Sequence, residues 1–262
     1  MARKIVVTSG KGGVGKTTLT ANLGFALADM GQRVALIDVD FGLNNLDVTV
    51  GVENKVLFNI VDVVEGRCRL KQALVQCGER KNLYVLASGG TDLASSVTGQ
   101  NIKLIVESMN LLFDYIILDC PAGIDLGFHR AVACVDEAII VATSSLTSLR
   151  DADKVIAILK SYKMKSVKLV VNRARGDLIM GDKMMFPVDV QKILKTELIG
   201  VLPEDDAVFL SNGCRLSRKT SSAKAYKILA NNVHKNTCKI YDVTRKYSGF
   251  LGSIRRGIKS SV

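Results

Sequence analysis

Residues 10–17 read Gly10-Lys11-Gly12-Gly13-Val14-Gly15-Lys16-Thr17; they follow the apolar run Ile5–Thr8 and precede Leu19, Leu23, Ala26, Leu27 and Met30 at helical steps. The octet fits G-x-x-x-x-G-K-[ST], the spacing of a loop that wraps phosphate. Glycines let such a loop turn its successive backbone N–H groups toward phosphate oxygens. The helix that follows presents its N-terminus to the same anion. Lys16 is placed to neutralise β- and γ-phosphates, and the Thr17 hydroxyl to ligate Mg²⁺. Strand, glycine loop and helix in that order read as a nucleoside triphosphate site.

Outward from this loop, six further runs rich in Val, Ile and Leu recur: Val34–Asp38, Leu83–Ala87, Tyr115–Asp119, Ala138–Thr143, Val167–Asn172 and Leu198–Leu202. Each is too short for a helix and shows little in/out alternation, as expected of strands covered on both faces. Segments of helical period lie between them. Leu104, Val106, Leu111 and Leu112 are read as one helix before Tyr115, and Val155, Ile156 and Leu159 as another after Ala138–Thr143. Strand alternating with helix predicts an α/β fold, a doubly wound and mostly parallel sheet. Ligands on such sheets bind beyond the carboxyl ends of the strands. Two strand ends there carry acids, Asp38-Val39-Asp40 and Asp119-Cys120-Pro121-Ala122-Gly123. A carboxylate closing an apolar strand beside a phosphate loop suits a Mg²⁺ partner, since burial there needs a cation and hydrogen bonds. The same residue type also caps turns and helices; for Asp38 both readings stay open.

Composition bounds the rest. The chain has 262 residues, 48% hydrophobic and 23% charged, a globular balance that excludes collagen-like, disordered and disulfide-scaffold classes. No apolar run approaches the ~20 residues of a spanning helix, and Met1-Ala2-Arg3-Lys4 leads straight into a strand with no targeting segment expected. The six cysteines, at 68, 77, 120, 134, 214 and 238, form no C-x-x-C pair, and there are two histidines. A dedicated zinc site is therefore not expected, and a reducing compartment is. No Ser/His/Asp or Cys/His constellation asks for other chemistry; His129 and His234 read as surface or partly buried side chains.

The net charge of +11 is localised. Residues 213–262 hold 12 Lys and Arg against one acid, Asp242, while the chain totals are 36 and 25. The part before residue 213 therefore carries 24 of each and is neutral. A basic block beside a neutral body points to an anionic surface, lipid or nucleic acid. Within the block, Tyr247, Phe250, Leu251, Ile254 and Ile258 fall in an arc of roughly 100° at helical spacing, with Arg245, Lys246, Arg255, Arg256 and Lys259 outside it. That is the pattern of an interfacial amphipathic helix. Gly249, Gly252 and Gly257 weaken it by ~1 kcal/mol each, so bilayer contact would supply the missing stabilisation. The division expected is one α/β domain over 1–240 and a membrane-targeting tail over 241–262.

Several stretches together resemble the MinD/ParA family of deviant Walker A ATPases, on the branch that places division sites. They are Lys11–Thr18, with its extra signature lysine, Asp38–Asp47, Asp119–Gly123 and Gly200–Asp205. The resemblance implies a P-loop NTPase fold, ATP and Mg²⁺ as cofactors, and slow hydrolysis. It also implies an ATP-dependent homodimer in which Lys11 reaches the partner subunit's phosphates. Lys11, Lys16 and Asp40 would be catalytic, with Asp40 positioning the attacking water. Residues 10–18 would bind ATP, and Asn172, Pro203 and Asp205 would hold the adenine. Thr17 would ligate Mg²⁺, Asp119 would bind it through water, and Asp38 would stand in a second shell. Ser148, Arg150, Asp151 and Asp153 would meet a division inhibitor (MinC-like) and an activator (MinE-like). The protein would be cytoplasmic or plastid stromal, and peripheral on the inner membrane face. The alternative within the family is a ParA-type ATPase that segregates DNA. The neutral body and the apolar stripe beside the basic block favour lipid over that reading, and specific nucleic-acid binding is not expected. Iron–sulfur relatives share the loop, but Cys68, Cys77 and Cys134 do not sit in their contexts, and Cys120 reads as a packing residue.

Overall fold

A computed structural model describes residues 1–78, 80–90, 97–211, 216–249 and 252. One eight-stranded sheet organises them, in the order β3-β4-β2-β5-β1-β6-β7-β8. The strands are β1 (Arg3–Thr8), β2 (Val34–Asp38), β3 (Val75–Gln76), β4 (Leu83–Leu86), β5 (Tyr115–Asp119), β6 (Glu137–Ala142), β7 (Ser166–Ala174) and β8 (Glu197–Pro203). Every pairing is parallel except that of β3 with β4. All seven apolar runs of the sequence are thus strands. The two-residue β3 carried no periodic signal.

The helices are α1 (Lys16–Asp29), α2 (Leu46–Val50), α3 (Ile60–Val64), α4 (Leu70–Ala73), α5 (Gly99–Ser108), α6 (Leu126–Val132), α7 (Leu146–Ser161), α8 (Gly176–Met180), α9 (Pro187–Leu194), α10 (Asp206–Leu210) and α11 (Ser221–Lys235). Successive strand residues feed opposite cores, which is why the strands read as unbroken apolar runs. Ile5, Val7, Val34 and Leu36 pack with α1, α2 and α11. Val6, Ala35, Ile37 and Leu118 pack with α5, α6, α7 and α9. The sheet is therefore wound on both faces. One helix differs from its expected form: α5 ends at Ser108 and turns Ile102, Ile105 and Val106 inward, leaving Leu104, Leu111 and Leu112 exposed. Leu111 and Leu112 sit in the turn beyond the helix, where a run of leucines mimics helical spacing.

The chain stays packed past residue 240. Val243 is buried in the core beside α8, and a Cβ on Gly176 would collide with the Val243 carbonyl. The Asp242 carboxylate accepts from the Thr244 amide at 2.8 Å and the Arg245 amide at 3.1 Å. It thereby caps a 3₁₀ turn over Arg245–Tyr247, after which Ser248 is extended. The helix expected from Thr244 begins here instead as one short turn. Tyr247 is half-buried, its ring close to Gly176, so it lies against α8 rather than on a free amphipathic face. Phe250, Leu251, Ile254, Arg255, Arg256, Ile258 and Lys259 lie outside the described residues.

Asn232 ties α11 to the sheet and to the segment leading to that turn. Its buried side-chain amide donates to the Ile199 and Lys239 carbonyls at 2.8 and 2.6 Å, while its oxygen accepts from the Thr237 hydroxyl at 2.8 Å. Asn232→Ala strands these groups, each at about 1–3 kcal/mol. Urea unfolding is expected to show a loss of about 2–4 kcal/mol for this variant; an unchanged midpoint would remove Asn232 from this role.

Candidate nucleotide site

The phosphate loop leaves β1 at the centre of the sheet, where the strand order reverses and ligands of open α/β sheets sit. Gly15 caps α1 at φ +96°, a left-handed conformation suited to glycine, and a Cβ there would strike the Asn172 amide. No acid occupies the first turn of α1, so its free N–H groups face the loop uncompensated. A cleft opens over this turn. It is lined by Gly12, Gly13, Gly15, Lys16, Thr17, Thr18, Asp40, Leu43, Asn45, Asp119, Pro121, Ala122, Asp125 and Arg173.

Asp38 and Asp119 face each other across β2 and β5 in direct register. Both are buried. Asp119 accepts from the Thr17 and Thr20 hydroxyls, the latter at 3.1 Å, and Lys16 stands near enough to stabilise its charge. Burial nevertheless pushes its carboxyl up to about 6. Asp38 is held well above the usual carboxylate range, first by burial and then by the negative charge of Asp119. Two buried acids, a buried lysine and a threonine hydroxyl at the mouth of an N–H cradle match the donor set of a Mg²⁺–nucleotide complex. Thr17 and Asp119 would hold the ion, whose charge would offset the crowding of the acids.

Asp38 has a second task. Its oxygens accept from the Asp40 amide at 2.9 Å and the Leu46 amide at 3.1 Å. Both ends of the loop that carries Asp40 are fixed to the strand this way, so the capping reading of Asp38 holds alongside the electrostatic one. Asp40, on the cleft wall, accepts from the Gly42 and Leu43 amides at 3.2 Å each.

The other sequence-derived candidates divide. Gly10 does not line the cleft: it packs against α7, where a Cβ would collide with the Asp151 backbone. The Val14 side chain is buried in the core, and its carbonyl accepts from the Asn172 amide at 2.8 Å. Asn172 thus braces the back of the loop. Pro203 and Asp205 line a neighbouring cleft with Arg175, Asp177, Lys246 and Tyr247. The Asp205 carboxylate is engaged there by the Ala207 and Ser222 amides at 3.1 and 3.0 Å. Lys11 is exposed, its ammonium 3.2 Å from the Thr147 hydroxyl at the head of α7. Arg150 and Asp153 are exposed on α7 and Asp151 is partly so. Ser148 is not on that surface. It is buried, and its hydroxyl accepts from the Thr143 amide at 3.0 Å, closing the turn between β6 and α7.

Arg173 went unnoticed in the sequence. It stands beside Asn172 on β7 with φ +54°, where the register with β8 shifts. That irregularity turns an exposed guanidinium toward the phosphate cleft, and no local sequence pattern announces it. Cys120 is buried beside Asp119 with its thiol pushed up by burial. His129 and His234 bond the hydroxyls of Tyr162 and Tyr115 at 2.5 and 2.8 Å.

Residues 5–213 match the CobQ/CobB/MinD/ParA nucleotide binding domain. A putative septum site-determining protein MinD of Guillardia theta is 48% identical over 80% of this chain and 78% of its own. Among solved structures, that of the MinC:MinD cell division protein complex of Aquifex aeolicus superposes with a TM-score of 0.84 at 38% identity, covering 91% of this chain and 98% of that one. The septum site-determining protein MinD complexed with Mg-ADP from Pyrococcus horikoshii gives 0.82 at 30%, over 90% and 97%.

An Asp38→Asn variant turns an NH₂ group toward the Asp40 or the Leu46 amide, at about 1–3 kcal/mol. Faster hydrogen exchange at those two amides is the expected result. Unaltered exchange would assign the loop's anchoring elsewhere.

Proposed function

The chain belongs to the septum site-determining MinD family of CobQ/CobB/MinD/ParA nucleotide-binding proteins, and on that footing we propose that it is an ATP-switched ATPase that places the division septum by recruiting and regulating a division inhibitor. The observation that carries this reading is the phosphate loop set against the buried pair Asp38 and Asp119.

Each residue then has a task. The loop amides and Lys16 bind the phosphate chain. Thr17 would ligate Mg²⁺ and Asp119 would bind it through water, and the ion would neutralise charge on the phosphates. Asp40, on the cleft wall and braced by two loop amides, orients the attacking water. Phosphoryl transfer asks for positioning and neutralisation rather than a covalent nucleophile, and none is offered here. The base lies toward Asn172, Pro203 and Asp205, with Arg173 at the junction between the two clefts. Asn172 acts there by bracing the loop.

Lys11 completes the site in trans. Among the described residues its ammonium is held by an exposed hydroxyl contact to Thr147, which leaves it able to reach the phosphates of a second copy. Exposed Leu43 on the cleft wall, Ile124 on the loop after β5, and Leu126 and Leu146 at the heads of α6 and α7 give the two copies apolar surface to bury. ATP thus glues a homodimer, and hydrolysis releases it. Two tails bind a bilayer by avidity, ~10²–10⁴-fold better than one, so nucleotide state becomes membrane state on the inner face, in a bacterial cytosol or a plastid stroma. The exposed charges of α7, Arg150, Asp151 and Asp153, meet the MinC-like inhibitor and the MinE-like activator. Among the described residues no helix is long and apolar enough to cross a membrane, consistent with peripheral attachment.

Lys11→Ala is expected to sediment as a monomer with ATP while it still binds ADP in a calorimetric titration. An ATP-dependent dimer formed normally by this variant would sink the trans assignment.

A further inference from the structure

The basic block of the last fifty residues is split by the fold. Arg245 and Lys246 sit at the root of the tail, but Arg218, Lys219, Lys224, Lys227 and Lys235 belong to the folded body, on α11 and the turn before it. At ~100° per residue, Lys224, Lys227 and Lys235 fall within an arc of about 80°. The opposite side of α11 is buried through Ala225, Tyr226, Leu229 and Val233. The cations therefore form one outward stripe along a helix of ~22 Å. Each of the three is exposed, and α11 contains no acid. The nearest acid of the adjoining groove, Asp29 of α1, is bonded by Arg80 at 3.2 Å.

We infer that this stripe on α11, headed by Arg218, is a second membrane contact that lies on anionic lipid headgroups beside the tail. Charge complementarity calls for an anionic surface, and two observations favour lipid. The first is continuity: Lys246, in the tail's root, bonds the hydroxyl of Ser221, the first residue of α11. A tail inserted in a bilayer thus leaves the body at the head of the stripe and brings the same surface alongside it. The second is the groove between α1 and α11. It is walled by Phe25, Ala26, Met30, Leu216 and Tyr226 next to Arg218, Lys224 and Lys227. Apolar wall beside cation suits the boundary between headgroup and acyl chain, whereas a phosphodiester backbone offers nothing to the apolar wall. The inference rests on the membrane reading of the tail, and it gives that contact a fixed orientation, with each α11 lying along the bilayer.

The test uses the full chain with ATP and Mg²⁺, sedimented with phosphatidylglycerol vesicles or with phosphatidylcholine vesicles over a range of salt. A K224Q/K227Q variant is expected to bind the anionic vesicles about thirtyfold more weakly per subunit, and about a thousandfold more weakly as the ATP dimer that loses four cations, from ~1 kcal/mol per cation, and with a shallower salt dependence. K224R/K227R should bind as the parent does. ATP hydrolysis without vesicles should be the same in all three proteins, since these lysines line the α1–α11 groove and not the phosphate cleft. Equal vesicle binding by parent and K224Q/K227Q overturns this inference and leaves the tail reading standing. A parent that ignores anionic vesicles overturns both. A K224Q/K227Q protein that keeps vesicle binding but loses a duplex-DNA mobility shift overturns it in favour of nucleic acid.

Discussion

Asp38 and Asp119 end neighbouring parallel strands in register, so their carboxyl groups are driven into one buried space. Two acids there repel each other and have lost their water. The arrangement is tolerable only because positive charge and hydrogen-bond donors are brought to the same place: Lys16, the Thr17 and Thr20 hydroxyls, and the Asp40 and Leu46 amides. The donors come from two different parts of the chain's architecture. The lysine and threonines come from the turn and helix after β1, the amides from the loop after β2. The electrostatic need of the acids therefore fixes how β1, β2 and β5 are placed, and the site follows from it. Satisfying two such acids fully asks for a further cation, which is the condition under which a Mg²⁺–nucleotide complex binds well.

The loop is also wired outward. Gly10 is small because α7 crosses it at the Asp151 backbone, and Asn172 at the end of β7 grips the Val14 carbonyl from behind. A shift of the loop is thereby transmitted to α7 on one side and to β7 on the other. Arg173 follows Asn172 directly. α7 is the helix whose exposed charges are proposed to meet protein partners, so the element that reads nucleotide and the element that meets partners share a contact with no side chain between them. Close-packed contacts of this kind shift as units rather than deform.

How much of this was legible in the sequence depends on the range over which each signal acts. The seven apolar runs and the phosphate loop are local patterns, and they came through intact. Asp119 was legible because a strand ending in an acid is also local. Four assignments needed knowledge of what lies across space. The resemblance put Ser148 among the residues that meet protein partners, yet its oxygen closes a turn against the Thr143 amide. Leu111 and Leu112 extend a helical spacing beyond the point where α5 stops. Asn172 was expected at the base, and that its amide also grips the Val14 carbonyl is a contact across space. Arg173 owes its direction to a register shift against β8, which no window of sequence contains.

The charge of the chain shows the same limit and changes the functional argument. Counted along the sequence, the excess sits in the last fifty residues and belongs to a tail beside a neutral body. Placed on the fold, α11 carries part of it on the outer side of a well-packed helix whose inner side is Tyr226, Leu229 and Val233. The difference matters for energetics. A cation in a segment that orders only on binding must offset ~1–2 kcal/mol of backbone entropy for each residue ordered, whereas a lysine on a folded helix has its backbone already fixed. On the proposed membrane contact, the α11 lysines would deliver nearly all of their attraction to an anionic surface. On that proposal a tail weakened by Gly249, Gly252 and Gly257 would be no obstacle to a membrane switch, because the folded body would supply steady electrostatic attraction and the tail would need to add only the apolar increment that ATP-driven pairing would double.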